Sequence, residues 1–218
     1  MKLAYALIAT AALASTNAIA QSRLVPVQDP AELAAAGFPP DAANVWRLLD
    51  TKTASNSRPL DPEGGAPTVD TSTIVTAEDF HHKLSNGQYQ AVAYAQLQCD
   101  TGSPYFNANL RLPSGKRLKY LDVWGKNTSA FPIKTTLLSA CKADDTPGMT
   151  TNLILGQYTS AAPGTGGYSS WVELPAGVFT DTEHCAYEIT ISFGDPATFT
   201  CQGSSQIFYK ARVVWDSE

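Results

Sequence analysis

From Val69 onward, apolar and polar positions alternate with a period of two. Phe106, Ala108, Leu110 and Leu112 are interleaved with Asn107, Asn109 and Arg111. Tyr187, Ile189, Ile191 and Phe193 are interleaved with Glu188, Thr190 and Ser192. Ile207, Tyr209, Ala211, Val213 and Trp215 form a third such series, with Lys210 and Arg212 on the other side. Successive side chains of an extended backbone point to opposite faces, so each run predicts a strand with one dry and one wet face. Further strands are expected over 88–98, 117–124, 132–140, 152–158 and 168–174. Leu112-Pro113-Ser114-Gly115 and the segments 144–148 and 162–167 are the expected turns between them. Roughly eight half-buried strands with no long helix between them predict an all-β fold, an antiparallel two-sheet β-sandwich of jelly-roll or Ig-like type. The missing crossover helices exclude a parallel α/β architecture.

The pattern before Val69 is different. Residues 1–20 read as an export signal: Lys2, an apolar run over 3–13, then Ala18-Ile19-Ala20 before the expected cleavage point. That run is too short to span a bilayer, and no later stretch is apolar and long enough to do so. Residues 21–68 read as a lead segment and linker. Asp29-Pro30 is an N-cap followed by proline at the first helical position, so a short helix is expected over 31–36, stopped by Gly37. A turn or edge strand carrying Trp46 follows, and the lead is expected to pack on the main domain through Phe38, Val45, Trp46 and Leu48. Residues 51–68 are rich in Thr, Ser, Asn, Pro and Gly and read as a long loop. The β-sandwich domain is placed at 69–218.

Composition narrows the function. The chain has 218 residues, 44% of them hydrophobic and only 16% charged, with a formal net charge of −5. A nucleic-acid partner would need a basic surface, so none is expected. Four cysteines, Cys99, Cys141, Cys185 and Cys201, contain no C-x-x-C pair and in an exported chain read as two disulfides. The segment 186–200 reads as a hairpin turning at Gly194-Asp195-Pro196. This favours Cys185 with Cys201, and Cys99 with Cys141 by exclusion.

A search for catalytic constellations yields none: no G-x-S-x-G elbow, no H-E-x-x-H helix and no phosphate-cradling glycine-rich loop. No cofactor or metal site is assigned. His184, beside Asp181 and Glu183, reads as a surface histidine, and adjacent His81-His82 point apart and rarely ligate one ion. Asp144-Asp145 offers too few oxygen ligands for Ca²⁺. Asp122 stands out because it shares a strand face with Leu118, Tyr120 and Trp124, as a structural carboxylate or as half of a carboxylate pair with Glu173 or Glu188.

Aromatic residues make up 10% of the chain, and aromatic rings stack on the apolar C–H faces of sugars. Trp171 follows Gly164-Thr165-Gly166-Gly167 and lies on the polar face of its strand with Ser169 and Glu173, opposite Tyr168, Val172 and Leu174. Trp171, Tyr168 and Asp122 are therefore the candidate ligand-binding residues, the alternative for Trp171 being burial under the lead segment or the second sheet. Trp46, Trp124 and Trp215 are assigned to core or interface. Asn127-Thr128-Ser129 matches an N-glycosylation sequon.

Leu112-Pro113-Ser114-Gly115, then Leu118-Lys119-Tyr120-Leu121-Asp122-Val123-Trp124, then Thr135-Thr136-Leu137-Leu138, resembles a loose group of secreted bacterial β-sandwich proteins without assigned activity. In that group the L-P-x-G turn leads into a hydrophobic-x-aromatic strand; Lys116 after Gly115 is a small departure. The resemblance implies fold and export only. The expected function is an exported, non-enzymatic binding protein whose partner is a glycan, an envelope component or another protein. The alternatives are a secreted carboxylate-dependent hydrolase of glycans and a structural or assembly subunit of the cell envelope that pairs through an edge strand.

Overall fold

The computed structural model describes residues 23–36, 38–39, 41–49, 71–82, 88–92, 96–142, 150–195, 198 and 200–216. The expected export signal, the linker 51–68 and Asp144-Asp145 lie outside these residues. The described residues form β1 (Arg23–Pro26), α1 (Pro30–Ala35), β2 (Val45–Leu49), β3 (Thr71–Thr76), β4 (His81–His82), β5 (Gln88–Val92), β6 (Gln96–Thr101), β7 (Tyr105–Leu110), β8 (Leu118–Asn127), β9 (Lys134–Lys142), β10 (Thr150–Thr159), β11 (Gly166–Glu173), β12 (Cys185–Ser192) and β13 (Gln206–Trp215). They make two sheets. The seven-stranded sheet runs β1-β2-β10-β9-β12-β7-β4; the six-stranded sheet runs β11-β8-β13-β6-β5, with β3 also paired to β13. The expected all-β two-sheet sandwich is the observed architecture, antiparallel throughout apart from one parallel pair, β2 with β10. The span expected as one strand over 88–98 contains two, β5 and β6.

The sheets press together over the dry faces read from the sequence. Phe106, Ala108, Leu110, Leu137, Leu155, Ile189 and Ile191 come from one sheet, and Leu97, Leu121, Val123, Phe208, Ala211, Val213 and Trp215 from the other. Phe80 meets Phe208 and Phe106 meets Phe193 edge to face, at centroid distances of 5.0 and 5.6 Å. Each fully buried side chain of this size contributes about 1.5–3 kcal/mol. Two positions depart from the simple alternation. A bulge between Phe208 and Lys210 places Phe208, not Ile207 or Tyr209, in the core. A second irregularity, at Val214/Trp215, turns Leu118 into the core and away from the face of Asp122.

The lead segment is built into the seven-stranded sheet. Asp29 caps α1 by accepting from the Ala31 amide (2.9 Å), with Pro30 opening the helix. The helix then covers the outer face of that sheet: Val27, Leu33 and Ala36 close over Val45 of β2 and over Leu138 and Ile154, with Phe38 packed alongside. This covering explains why Thr190, expected on a wet face, is buried; its hydroxyl donates to the Ala36 carbonyl (3.3 Å).

The disulfides are Cys141–Cys185 and Cys99–Cys201, which corrects the expected pairing of Cys185 with Cys201 and Cys99 with Cys141. The hairpin behind that expectation does not form. β12 lies between β9 and β7, and its Cys185 falls in register with Cys141 of β9. After β12 the described residues make a bridge from Asp195 to Thr200, and the chain then passes β6, where Cys201 meets Cys99.

Candidate functional site

The outer face of the six-stranded sheet can be read from register alone. Leu121, Val123, Ala211 and Val213 point into the core, so the alternate positions of β8 and β13 point outward. Four strands line these positions up in cross-strand rows. The central row is Trp171, Asp122, Arg212 and Ile74; on one side lie Ser169, Trp124, Lys210 and Thr76, and on the other Glu173, Tyr120, Val214 and Ser72. Lys126 extends the β8 column beyond Trp124.

Within this grid Trp171 is half-buried and meets Tyr120 edge to face, with ring centroids 5.5 Å apart and planes at 90°. Asp122 is buried at 4% exposure. Its Oδ2 accepts from Arg212 Nε (2.7 Å) and from a terminal guanidinium nitrogen (2.5 Å). Two cations approach the Trp124 ring: Lys210 Nζ at 4.6 Å and the Arg212 guanidinium at 5.5 Å from its centroid. Such contacts contribute about 0.5–1 kcal/mol each at exposed sites. Ile74 is 53% exposed, one of the large hydrophobic side chains left in solvent.

Trp171 and Asp122 thus come together, directly opposite each other on neighbouring strands. Trp171 does not lie between the sheets, and it is not part of the cluster that the described lead residues cover. Tyr168 does not join them, and its candidacy is corrected: it faces inward from β11, packs against Tyr158 at 5.4 Å and fills the space that a side chain on Gly125 would take. Burial pushes its phenol far above the usual tyrosine range, with Tyr158 and Tyr209 adding to the shift. Trp124, assigned to core or interface, is a half-buried member of the outer face, whereas Trp215 is in the core. Sequence reasoning passed over Tyr120, Trp124, Lys210 and Arg212 because they become one surface only through the pairing of β8 with β11 and β13. The available signal was the alternation Tyr120-x-Asp122-x-Trp124-x-Lys126.

The carboxylate pairs separate. Glu188 lies on the outer face of the other sheet and accepts from Asn107 (3.2 Å), so it cannot act with Asp122. Glu173 shares the face with Asp122, one row away, but Asp122 is engaged by Arg212. Asp181 and His184 form an exposed pair (Oδ2 to Nδ1 2.9 Å) in the turn before β12. The imidazole's hydrogen bond is the leading cause that lowers the Asp181 pKa. Among the described residues no group of three or more His, Cys, Asp or Glu is placed to hold a metal ion. No described helix is long and apolar enough to cross a membrane.

Asn127 of the sequon is not a surface residue. At 1% exposure, its Nδ2 donates to the Phe131 and Ala161 carbonyls and to Ser160 Oγ, each at 2.9 Å, and its Oδ1 accepts from the Ser129 amide. The L-P-x-G turn is fastened in a similar way. Buried Thr180 donates to the Pro113 carbonyl (2.5 Å) and accepts from the Lys116 amide (2.9 Å), while Gly115 takes a positive φ of 73°.

A concavity of about 370 Å³ lies at the lead segment, bordered by Val27, Leu33, Asp41, Asn44 and Trp46. It belongs to the capped sheet, on the far side from the aromatic grid.

No family model and no curated protein matches this chain. Solved structures are similar to it at low identity. A xylan-binding module CBM15 is 11% identical, with a TM-score of 0.41 over 68% of this chain and 98% of that chain. The CBM36-1 domain of a multidomain xylanase from the hindgut metagenome of Trinervitermes trinervoides is 11% identical, with a TM-score of 0.40 over 68% of this chain and 99% of that chain. A xylan-binding module CBM86 from Roseburia intestinalis is 12% identical, with a TM-score of 0.37 over 67% of this chain and 97% of that chain.

Proposed function

We propose that this chain is an exported, non-enzymatic module that binds carbohydrate on the outer face of its six-stranded sheet. The observation that carries this reading is the asymmetry of the two outer faces. On one, the lead segment covers Leu138 and Ile154 with apolar side chains. The other gathers Trp171, Tyr120 and Trp124 around a salt-bridged polar centre. A sugar presents apolar C–H faces ringed by hydroxyls, and a surface that alternates rings with charged hydrogen-bonding groups matches both. Two disulfides suit an oxidising compartment outside the cytoplasm.

Affinity electrophoresis of the purified protein through gels containing soluble polysaccharides tests this. At least one polymer should retard the wild type, and Trp171→Ala should abolish the retardation while circular dichroism stays unchanged. Migration unaffected by every polymer, or retardation that survives Trp171→Ala, would end the proposal. Turnover on a glycoside substrate panel that disappears with Asp122→Asn would replace it with the hydrolase.

A further inference from the structure

We infer that the face selects an acidic polysaccharide that bears uronate units, with Lys126 and Lys210 receiving their carboxylates. This rests on the glycan-binding reading of the same face and specifies its ligand class. Five charged side chains lie on the grid: Asp122, Glu173, Lys126, Lys210 and Arg212. Asp122 and Arg212 neutralise each other. Neither lysine has a carboxylate partner among the described residues. Both flank Trp124: Lys210 directly opposite it on β13, Lys126 two positions along β8. Glu173 sits at the other end, beside Tyr120 and two rows from Lys210. The face is therefore divided into an aromatic end at Trp171 and Tyr120 and a cationic end at Trp124.

Two features make the cationic end a receptor for carboxylate. Lys210 is held 4.6 Å over the Trp124 ring, so its ammonium is already placed and forfeits little rotamer freedom when an anion arrives. Trp171 and Lys210 are two strands and one row apart, a Cα separation of about 12 Å from strand spacing and rise. An oligosaccharide a few units long bridges that distance, with one ring on Trp171 and a carboxylate at the lysines. The net charge of −5 does not oppose this, because at physiological ionic strength charges beyond about 8 Å are screened and the local pair decides.

The test measures binding of the full chain to polygalacturonate, alginate and glucuronoxylan, each compared with its carboxyl-reduced form, which keeps the linkages and removes the charge. At least one acidic polymer should bind about tenfold more tightly than its reduced form, as expected for two exposed lysine–carboxylate pairs. The Lys126→Gln/Lys210→Gln variant should lose that margin, and so should the wild type in about 0.5 M salt. Equal binding of acidic and reduced forms, still abolished by Trp171→Ala, overturns this inference and leaves the glycan-binding reading standing. No binding to any form, or binding indifferent to Trp171→Ala, overturns both.

Discussion

Asp122 and Arg212 face each other across adjacent strands, and a single carboxylate oxygen takes both guanidinium contacts. The carboxylate is nearly buried while the guanidinium side chain remains 33% exposed. Arg212 therefore acts as a partly solvated lid over a charge that would otherwise be stranded. Removing one member of such a pair leaves the other uncompensated, whereas replacing both by apolar groups is far less damaging. Arg212→Leu should lower unfolding free energy by about 2–3 kcal/mol, and Asp122→Leu/Arg212→Leu by much less. Urea denaturation of the three proteins checks this, and equal losses in single and double variants would contradict it.

The disulfides fasten different parts of the sandwich. Cys141–Cys185 staples β9 to β12 across a sequence separation of 44, and Cys99–Cys201 closes one of 102. Loop entropy assigns about 4 kcal/mol to the first and slightly more to the second. Replacing Cys141 and Cys185 by alanine should reduce stability on that scale. Non-reducing peptide mapping should recover these two linkages and none joining Cys185 to Cys201.

At the end of the sandwich the Asn127 amide nitrogen shares its two hydrogens among three acceptors, and its oxygen accepts one bond. Asn127→Ala should cost about 2 kcal/mol, because the buried Ser129 amide loses its acceptor and the Ala161 carbonyl its donor. Asn127→Asp, almost the same shape, should be no better, since a carboxylate cannot donate to carbonyl oxygens. A thermal melt in which Asn127→Asp matches wild type would remove the network from the account.

Tyr168 presents the reverse case. Its hydroxyl is buried without a hydrogen-bond partner, so desolvation is uncompensated. Tyr168→Phe should be neutral to about 1 kcal/mol stabilising in chemical denaturation. A clear loss of stability would reveal a bond made by that hydroxyl.

Burial also sets the alkaline limit. Desolvation pushes the Tyr105 phenol up to about 12 and raises those of Tyr158, Tyr168 and Tyr187. The folded chain keeps these protons at a pH where the unfolded chain releases them. Their contribution is complete below about pH 10 and is lost as pH climbs through the folded values. Stability should therefore fall steeply above pH 10, with part of the tyrosinate absorbance at 295 nm appearing only as the protein unfolds. Complete titration of all tyrosines in the folded state would refute this.

Strand location was legible because a sandwich imprints a period of two. The run from Phe106 to Leu112 and the run from Tyr187 to Phe193 fall where their alternation put them. The bulge near Tyr209 was not legible, since one inserted residue shifts a face without changing composition. Disulfide partners failed for a related reason: Cys185 pairs with the strand beside it in the sheet, which comes earlier in the chain rather than next. Trp171 was legible as an outward residue from its own strand. Its companions Tyr120, Trp124 and Lys210 were not, because a surface assembled from three strands is written in their register.

The docking of α1 over Val45, Leu138 and Ile154 closes one outer face of the molecule and leaves the aromatic one open. A fragment begun at Thr71 would keep the aromatic front and bare a second, greasy one. Such a truncation would clump with its own copies through the exposed back, so any attempt to trim this protein to its β-core must carry the leading helix along.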